Sequence, residues 1–187
     1  WEIVRGVGFQ NVNIDLISAI PGQTLESWCR TLRTAAELGP EHISAYSLIV
    51  EKGTLFYEMY GENADCDSGD EDTEREIYKA TEKILAGYGY HRYEISNYAK
   101  EGYECRHNLG YWERKEYLGL GLGASSLIHE CRFHNTEDMK KYLECFGKNI
   151  REDVESLSCE DQMEEFMFLG LRKTEGISTE RFRRTFD

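Results

Sequence analysis

Residues 11–50, NVNIDLISAIPGQTLESWCRTLRTAAELGPEHISAYSLIV, decide the fold class. The segment 11–20 is apolar and β-branched until Pro21-Gly22 stops it, so it reads as a strand. Thr24 makes a helix N-cap, offering a side-chain oxygen to amide groups that lack partners in the first turn. Residues 25–38 then carry apolar positions at helical spacing, and Gly39-Pro40 ends the run. Residues 42–50, HISAYSLIV, make the next strand. Strand, helix, strand at this spacing predicts parallel pairing through a right-handed crossover.

Outward from there, a short segment TLFYEMY (54–60) and an acidic turn DSGDEDTE (67–74) precede a helix over REIYKATEKILAGYG (75–89). The acidic residues stand at its N-terminal end, where the helix dipole favours them. HRYEIS (91–96) reads as a third strand, and YLGLGLGASSLI (117–128) begins as a fourth that breaks up on its glycines. A closed (β/α)₈ barrel takes about 250 residues. The expectation is therefore an α/β fold: a partial (β/α) barrel of about three to four parallel strands over 1–128. A small, mostly helical carboxyl-terminal subdomain is expected over 129–187. There CRFHN (131–135) is strand-like, 136–149 helical and 152–158 extended. Ser158 opens a capping-box-like helix, and Ser178 caps a last one through Phe186.

Composition narrows the function. The chain has 187 residues, 40% hydrophobic and 12% aromatic, enough for a sizeable core, and a formal net charge of −13. That charge argues against nucleic acid and anionic membranes, which call for a basic stripe. No run of about 18 apolar residues predicts a transmembrane segment, and no charged-plus-apolar leader is evident. The six cysteines are spread evenly and form no CxxC pair. They read as reduced thiols of a cytoplasmic protein rather than a zinc site or a local iron–sulfur ligand set. Opening on Trp1, the chain reads as a piece of a longer protein.

Side chains alternate faces along a strand. Val12, Ile14 and Leu16 therefore oppose Asn11, Asn13 and Asp15, while Ile43, Ala45 and Ile49 oppose His42, Ser44 and Tyr46. In the third segment Arg92, Glu94 and Ser96 share a side. Parallel strands are usually apolar on both faces, so the polar stripe has two readings. It is a solvated face, or it is a concave interior holding a polar cofactor. In the second reading Asp15, near the strand's carboxyl end, is suited to accept hydrogen bonds from a ribose. The glycine run 119–126 lacks the spacing of a dinucleotide fingerprint. Its glycines permit a close approach, to a ligand or to a neighbouring strand.

Residues 93–112, YEISNYAKEGYECRHNLGYW, read as an aromatic, irregular loop. It offers an imidazole, an amide and large π-surfaces, the groups that hold a flat, metal-bearing ligand. His107 is a candidate ligand to heme iron, and Cys105 is a rival because thiolate also ligates it. His42, His91, His129 and His134 have no comparable context and read as structural or exposed.

In order and spacing, NIDLISAIPGQT, GPEHISAYSLIVEKGT, YEISNYA, CRHNLGYW and YLGLGLGAS resemble the oxygen-independent coproporphyrinogen III oxidase-like proteins, a radical S-adenosylmethionine (SAM) family. EEFMFLGLRKTEGIS (164–178) resembles the start of that family's carboxyl-terminal domain. The resemblance implies a SAM site with Asp15 on the ribose and Tyr46 and Ile49 lining the adenosine. It also implies a [4Fe–4S] cluster held by a CxxxCxxC set outside this chain, so this polypeptide alone is expected to be inactive. Within the family, a motif of the form HNxxYW marks heme chaperones of the HemW type, and His107, Asn108, Tyr111 and Trp112 match it. The implied activity is heme binding and transfer to an acceptor protein. The alternative is oxidative decarboxylation of coproporphyrinogen III. Ser18-Ala19, Ser125 and Leu55 depart from the family pattern. Half a barrel with a bare strand edge is also expected to self-associate.

Overall fold

The computed structural model describes residues 1–60, 71–144 and 150–187, with Glu71 by its backbone only. Residues 67–70 of the acidic turn, Cys66, Cys145 and the end of the helix expected over 136–149 lie outside the described residues. The chain packs as two compact units, Trp1–Cys105 and Arg106–Asp187.

In the first unit, a short helix α1 (Glu2–Gly6) leads to β1 (Asn13–Ser18), α2 (Leu25–Glu37) and β2 (His42–Ser47). Helix α2 starts as its sequence requires. The Thr24 side chain accepts the Ser27 N–H, and the Ser27 hydroxyl takes the Thr24 N–H in return. β1 and β2 pair in parallel, Ile14 against Ile43 and Leu16 against Ala45. After α3 (Leu55–Tyr60) and α4 (Glu71–Gly87), the expected third parallel strand is absent. In its place are β3 (His91–Arg92) and β4 (Asn97–Ala99), both in antiparallel pairs, giving the sheet order β1-β2-β4-β3. The chain reverses between them: the Tyr93 N–H bonds the Asn97 carbonyl at 3.3 Å, and the Glu94 carboxylate accepts the Ser96 N–H at 3.0 Å. The described strands form no closed barrel, and only β1 and β2 are parallel.

The apolar face of this sheet meets α2 and α4 in a core of Trp28, Leu32, Ala36, Ile43, Ile77, Leu85, Tyr90 and Tyr98. Two buried polar groups there are paired: Trp28 Nε1–H donates to Thr81 Oγ1 at 2.8 Å and the Tyr90 hydroxyl to the Pro40 carbonyl at 2.6 Å. Burial raises the Tyr90 and Tyr98 phenols to about 12. Arg92 turns to the helix side, over the Tyr78 ring and toward Glu82.

The second unit begins with α5 (Arg106–Trp112), where an irregular loop was expected. It continues through β5 (Ser125–Ile128), β6 (Cys131–Asn135), α6 (Met139–Glu144), β7 (Arg151–Ser156), α7 (Cys159–Gly170) and α8 (Thr179–Phe186). The three strands form an antiparallel sheet, so this region is mixed rather than mostly helical. The β5–β6 hairpin turns at His129-Glu130, both at positive φ. Ser158 and Asp161 form the anticipated capping box, and Ser178 caps α8. Phe166 of α7 packs edge-on against Phe182 and Phe186 of α8.

Candidate functional site

On the polar face of β1 and β2 the register sets Asn13 beside His42, Asp15 beside Ser44 and Ile17 beside Tyr46. Asp15 and Tyr46 therefore share a face, one alternation apart. Asp15 is exposed, as are Tyr46 and Ile49; Ile49 lies beyond the end of β2. Asp15 does not stand free. Asn13 Nδ2 donates to its Oδ1 at 2.7 Å, and Asn13 Oδ1 accepts from His42 Nδ1 at 2.7 Å and Ser44 Oγ at 3.3 Å. His42 Nε2 meets the Tyr93 hydroxyl at 2.8 Å, and that oxygen accepts the Cys105 N–H at 3.2 Å. Burial holds the His42 imidazole below its ordinary range, against the opposing fields of Asp15, Glu94 and Glu104. Burial alone would raise the Glu104 carboxyl, but hydrogen bonds at the Glu104 and Gly102 amides and the facing His91 take it below its ordinary value.

His42 was read from sequence as structural or exposed, and Tyr93 was not singled out at all. The signal for His42 was present: the alternation put it on the stripe with Asn13 and Asp15.

The second candidate set lies on α5. His107 is exposed, while Asn108, Tyr111 and Trp112 are half-buried. A seven-residue helix divides the motif between two faces, because residues four apart stack above one another. His107 and Tyr111 meet edge-on, 4.6 Å between centroids at 77°, and Tyr111 meets Tyr117 at 4.7 Å and 84°. Trp112 turns elsewhere, with the Arg172 guanidinium 5.0 Å over its ring. It lines a cavity of about 70 Å³ with Phe166, Lys173 and Arg181, and its buried Nε1 has no hydrogen-bond partner among the described residues. Two residues past the helix stands Arg114, whose backbone is left-handed and whose buried guanidinium bonds Glu165 at 2.7 Å and also Glu130.

Within the glycine run, Gly119 serves the fold. A Cβ at Gly119 would lie 2.2 Å from the Ser125 carbonyl oxygen, and the Gly119 N–H donates to Ser126 Oγ at 2.9 Å. What the backbone approaches at Gly119 is the neighbouring strand β5. Among the described residues no group of three or more metal-ligating side chains comes together, and Cys29, Cys105, Cys131 and Cys159 are free thiols.

Comparison with known proteins shows what the chain is similar to. Residues 157–187 match the HemN C-terminal domain. The protein named heme chaperone HemW from Bacillus subtilis is 40% identical over 184 residues, covering 97% of this chain and 48% of the relative. The chain is a homologue of the HemW proteins. That from Lactococcus lactis is 38% identical over 99% of the chain and 48% of its own length. The chain thus spans about half the length of the curated HemW relatives it matches. Its fold matches the solved structure of coproporphyrinogen III oxidase (HemN) from Escherichia coli, a radical SAM enzyme, with TM-score 0.75 and 23% identity over 98% of this chain and 45% of that one. No helix among the described residues is long and apolar enough to cross a membrane.

Proposed function

We propose that the intact protein binds heme as cargo and hands it to an acceptor protein, as the name of its HemW relatives, heme chaperone, implies. The observation that carries this is the presentation of His107: an exposed imidazole on a short helix, with Tyr111 and Tyr117 beside it. A neutral imidazole offers a lone pair to heme iron, and the ring edges offer apolar surface to the macrocycle. Trp112 secures the helix from its other face, so it supports the site from below.

SAM fits the other candidate set. Asp15 offers an exposed carboxylate already oriented by Asn13, suited to ribose hydroxyls, with Tyr46 and the exposed Ile49 as apolar surface for the adenine. When bound together with a reducing [4Fe–4S] cluster, SAM supplies radical chemistry. The cysteines that would hold such a cluster are not assembled among the described residues. What this chain contributes is recognition of the nucleoside part and of the cargo.

Three further features belong to the same proposal: β1–α2–β2 is a segment of a barrel in the intact protein, the protein is cytoplasmic, and the isolated chain self-associates through the free edge of β1 or β3. A clean monomer in sedimentation at high concentration contradicts the last. For the function, intact protein titrated with hemin is expected to give a saturable absorbance change and to leave coproporphyrinogen III unconverted. Turnover to protoporphyrinogen IX would establish the oxidase reading instead.

A further inference from the structure

From this hydrogen-bond chain we infer that His42 and Tyr93 are positioning residues for the SAM site: they fix Asn13, and through it the Asp15 carboxylate, in the orientation that receives the ribose. This rests on the reading of Asp15 above and deepens it.

The proton inventory fixes the direction of every bond. Asp15 is a carboxylate and can only accept, so Asn13 presents its Nδ2–H to it, and Asn13 Oδ1 faces the other way. Oδ1 then needs donors and finds two, Ser44 Oγ–H and His42 Nδ1–H. With the proton on Nδ1, Nε2 is an acceptor and takes the Tyr93 hydroxyl at 2.8 Å. The Tyr93 oxygen in turn accepts the Cys105 amide at 3.2 Å. One tautomer satisfies all five partners, and it is the neutral one.

Burial makes this arrangement specific. His42 is 5% exposed and Ser44 2%, so neither imidazole nitrogen exchanges its partner for water at low cost. Asp15 itself is exposed. An exposed carboxylate on a short side chain samples several orientations unless something holds it. Here a rigid ring, buried and bonded at both ends, supplies the support, as hydrogen-bonded outer groups do for metal-binding carboxylates and imidazoles. The charged or titratable groups that face His42 are Asp15 on β1, Glu94 and Tyr93 in the turn after β3, and Glu104 before α5. Protonation at Nε2 would end its acceptance of the Tyr93 hydroxyl, which would have to turn its proton elsewhere, and so would disturb the chain at that link.

Binding of SAM to the intact protein by titration calorimetry, with three variants, tests this. Tyr93→Phe removes one hydroxyl and is expected to weaken SAM about fivefold, the worth of one hydrogen bond, while hemin titration is unchanged. His42→Asn keeps a donor in the place of Nδ1–H and is expected to bind within about twofold of wild type. His42→Gln, nearer to histidine in volume, moves its amide toward Tyr93, loses the donor to Asn13 and is expected to bind about tenfold more weakly. A packing role predicts the opposite order for the last two. Wild-type affinity is expected to fall only as pH drops past the ordinary histidine value of 6.5 toward the lowered folded-state value of His42, and His42→Asn is expected to abolish that fall. Equal affinity of Tyr93→Phe and wild type, or a greater loss for Asn than for Gln at position 42, overturns the inference. If His42→Gln fails to fold by circular dichroism, Tyr93→Phe alone decides. Folded wild-type protein that binds no SAM overturns the reading of Asp15 itself, and the inference with it.

Discussion

His107 meets the ring of Tyr111 edge to face, with centroids 4.6 Å apart. The pair is what four-residue spacing on a helix produces, and it gives an exposed imidazole a fixed orientation. Tyr111→Ala is expected to weaken hemin binding by the intact protein about fivefold, the worth of one aromatic contact. Tyr111→Phe should bind as wild type. Equal affinity of all three in an absorbance titration would show that Tyr111 does not orient the ligand.

Gly119 tests the fold of the carboxyl-terminal unit. An alanine methyl there collides with the Ser125 backbone carbonyl at 2.2 Å, which no side-chain rotation relieves. Gly119→Ala is expected to destabilise by about 2 kcal/mol in urea unfolding, the usual cost of forcing atoms into a packed place. Gly87→Ala, with nothing within 4 Å and helical backbone, is the control. It should be neutral or slightly stabilising.

Glu165 ties α7 to the residues around it. Its side chain is 7% exposed and pairs with Arg114 at 2.7 Å and with Arg132, and Arg114 is itself 9% exposed. Removing one member of a buried pair leaves the other without compensation. Glu165→Ala is therefore expected to cost about 3 kcal/mol. A loss below about 1 kcal/mol would mean that Glu130 alone satisfies Arg114.

Stability should also depend on His42 in mild acid. Burial lowers its folded-state affinity for protons, so below the ordinary value of 6.5 the unfolded chain binds more protons than the folded one. This contribution is complete above that value and declines as pH falls from it toward the lowered folded value. Urea midpoints measured from pH 8 to pH 5 are expected to fall below about pH 6.5, and less steeply in His42→Asn. Parallel pH profiles would contradict the assignment.

How much of this was legible in the sequence varies with how local the signal is. β1, α2 and β2 were readable because Thr24 caps, Gly39-Pro40 stops, and alternation in 12–16 is regular. The segment 91–96 misled for the same reason. Its alternation resembles a strand, yet the Glu94 side chain bonds the Ser96 amide and the chain reverses, a local contact that periodicity does not encode. Helix α5 was hidden by residues with weak helix propensity, Asn108 and Gly110, which tertiary packing of Trp112 overrides. Of the candidate sites, the placement of Asp15 and Tyr46 on one face followed from the period of two. The support beneath Asp15 did not, because Tyr93 and Cys105 reach it only through long-range folding.

Coordination of heme iron by the His107 imidazole, proposed above, is open to direct measurement. The most direct test is the absorption spectrum of the intact protein titrated with hemin, wild type against His107→Ala and His107→Cys. A Soret band is expected that saturates in wild type, is weakened in His107→Ala, and shifts to a thiolate-type spectrum in His107→Cys. An unchanged spectrum and affinity in His107→Ala would contradict it.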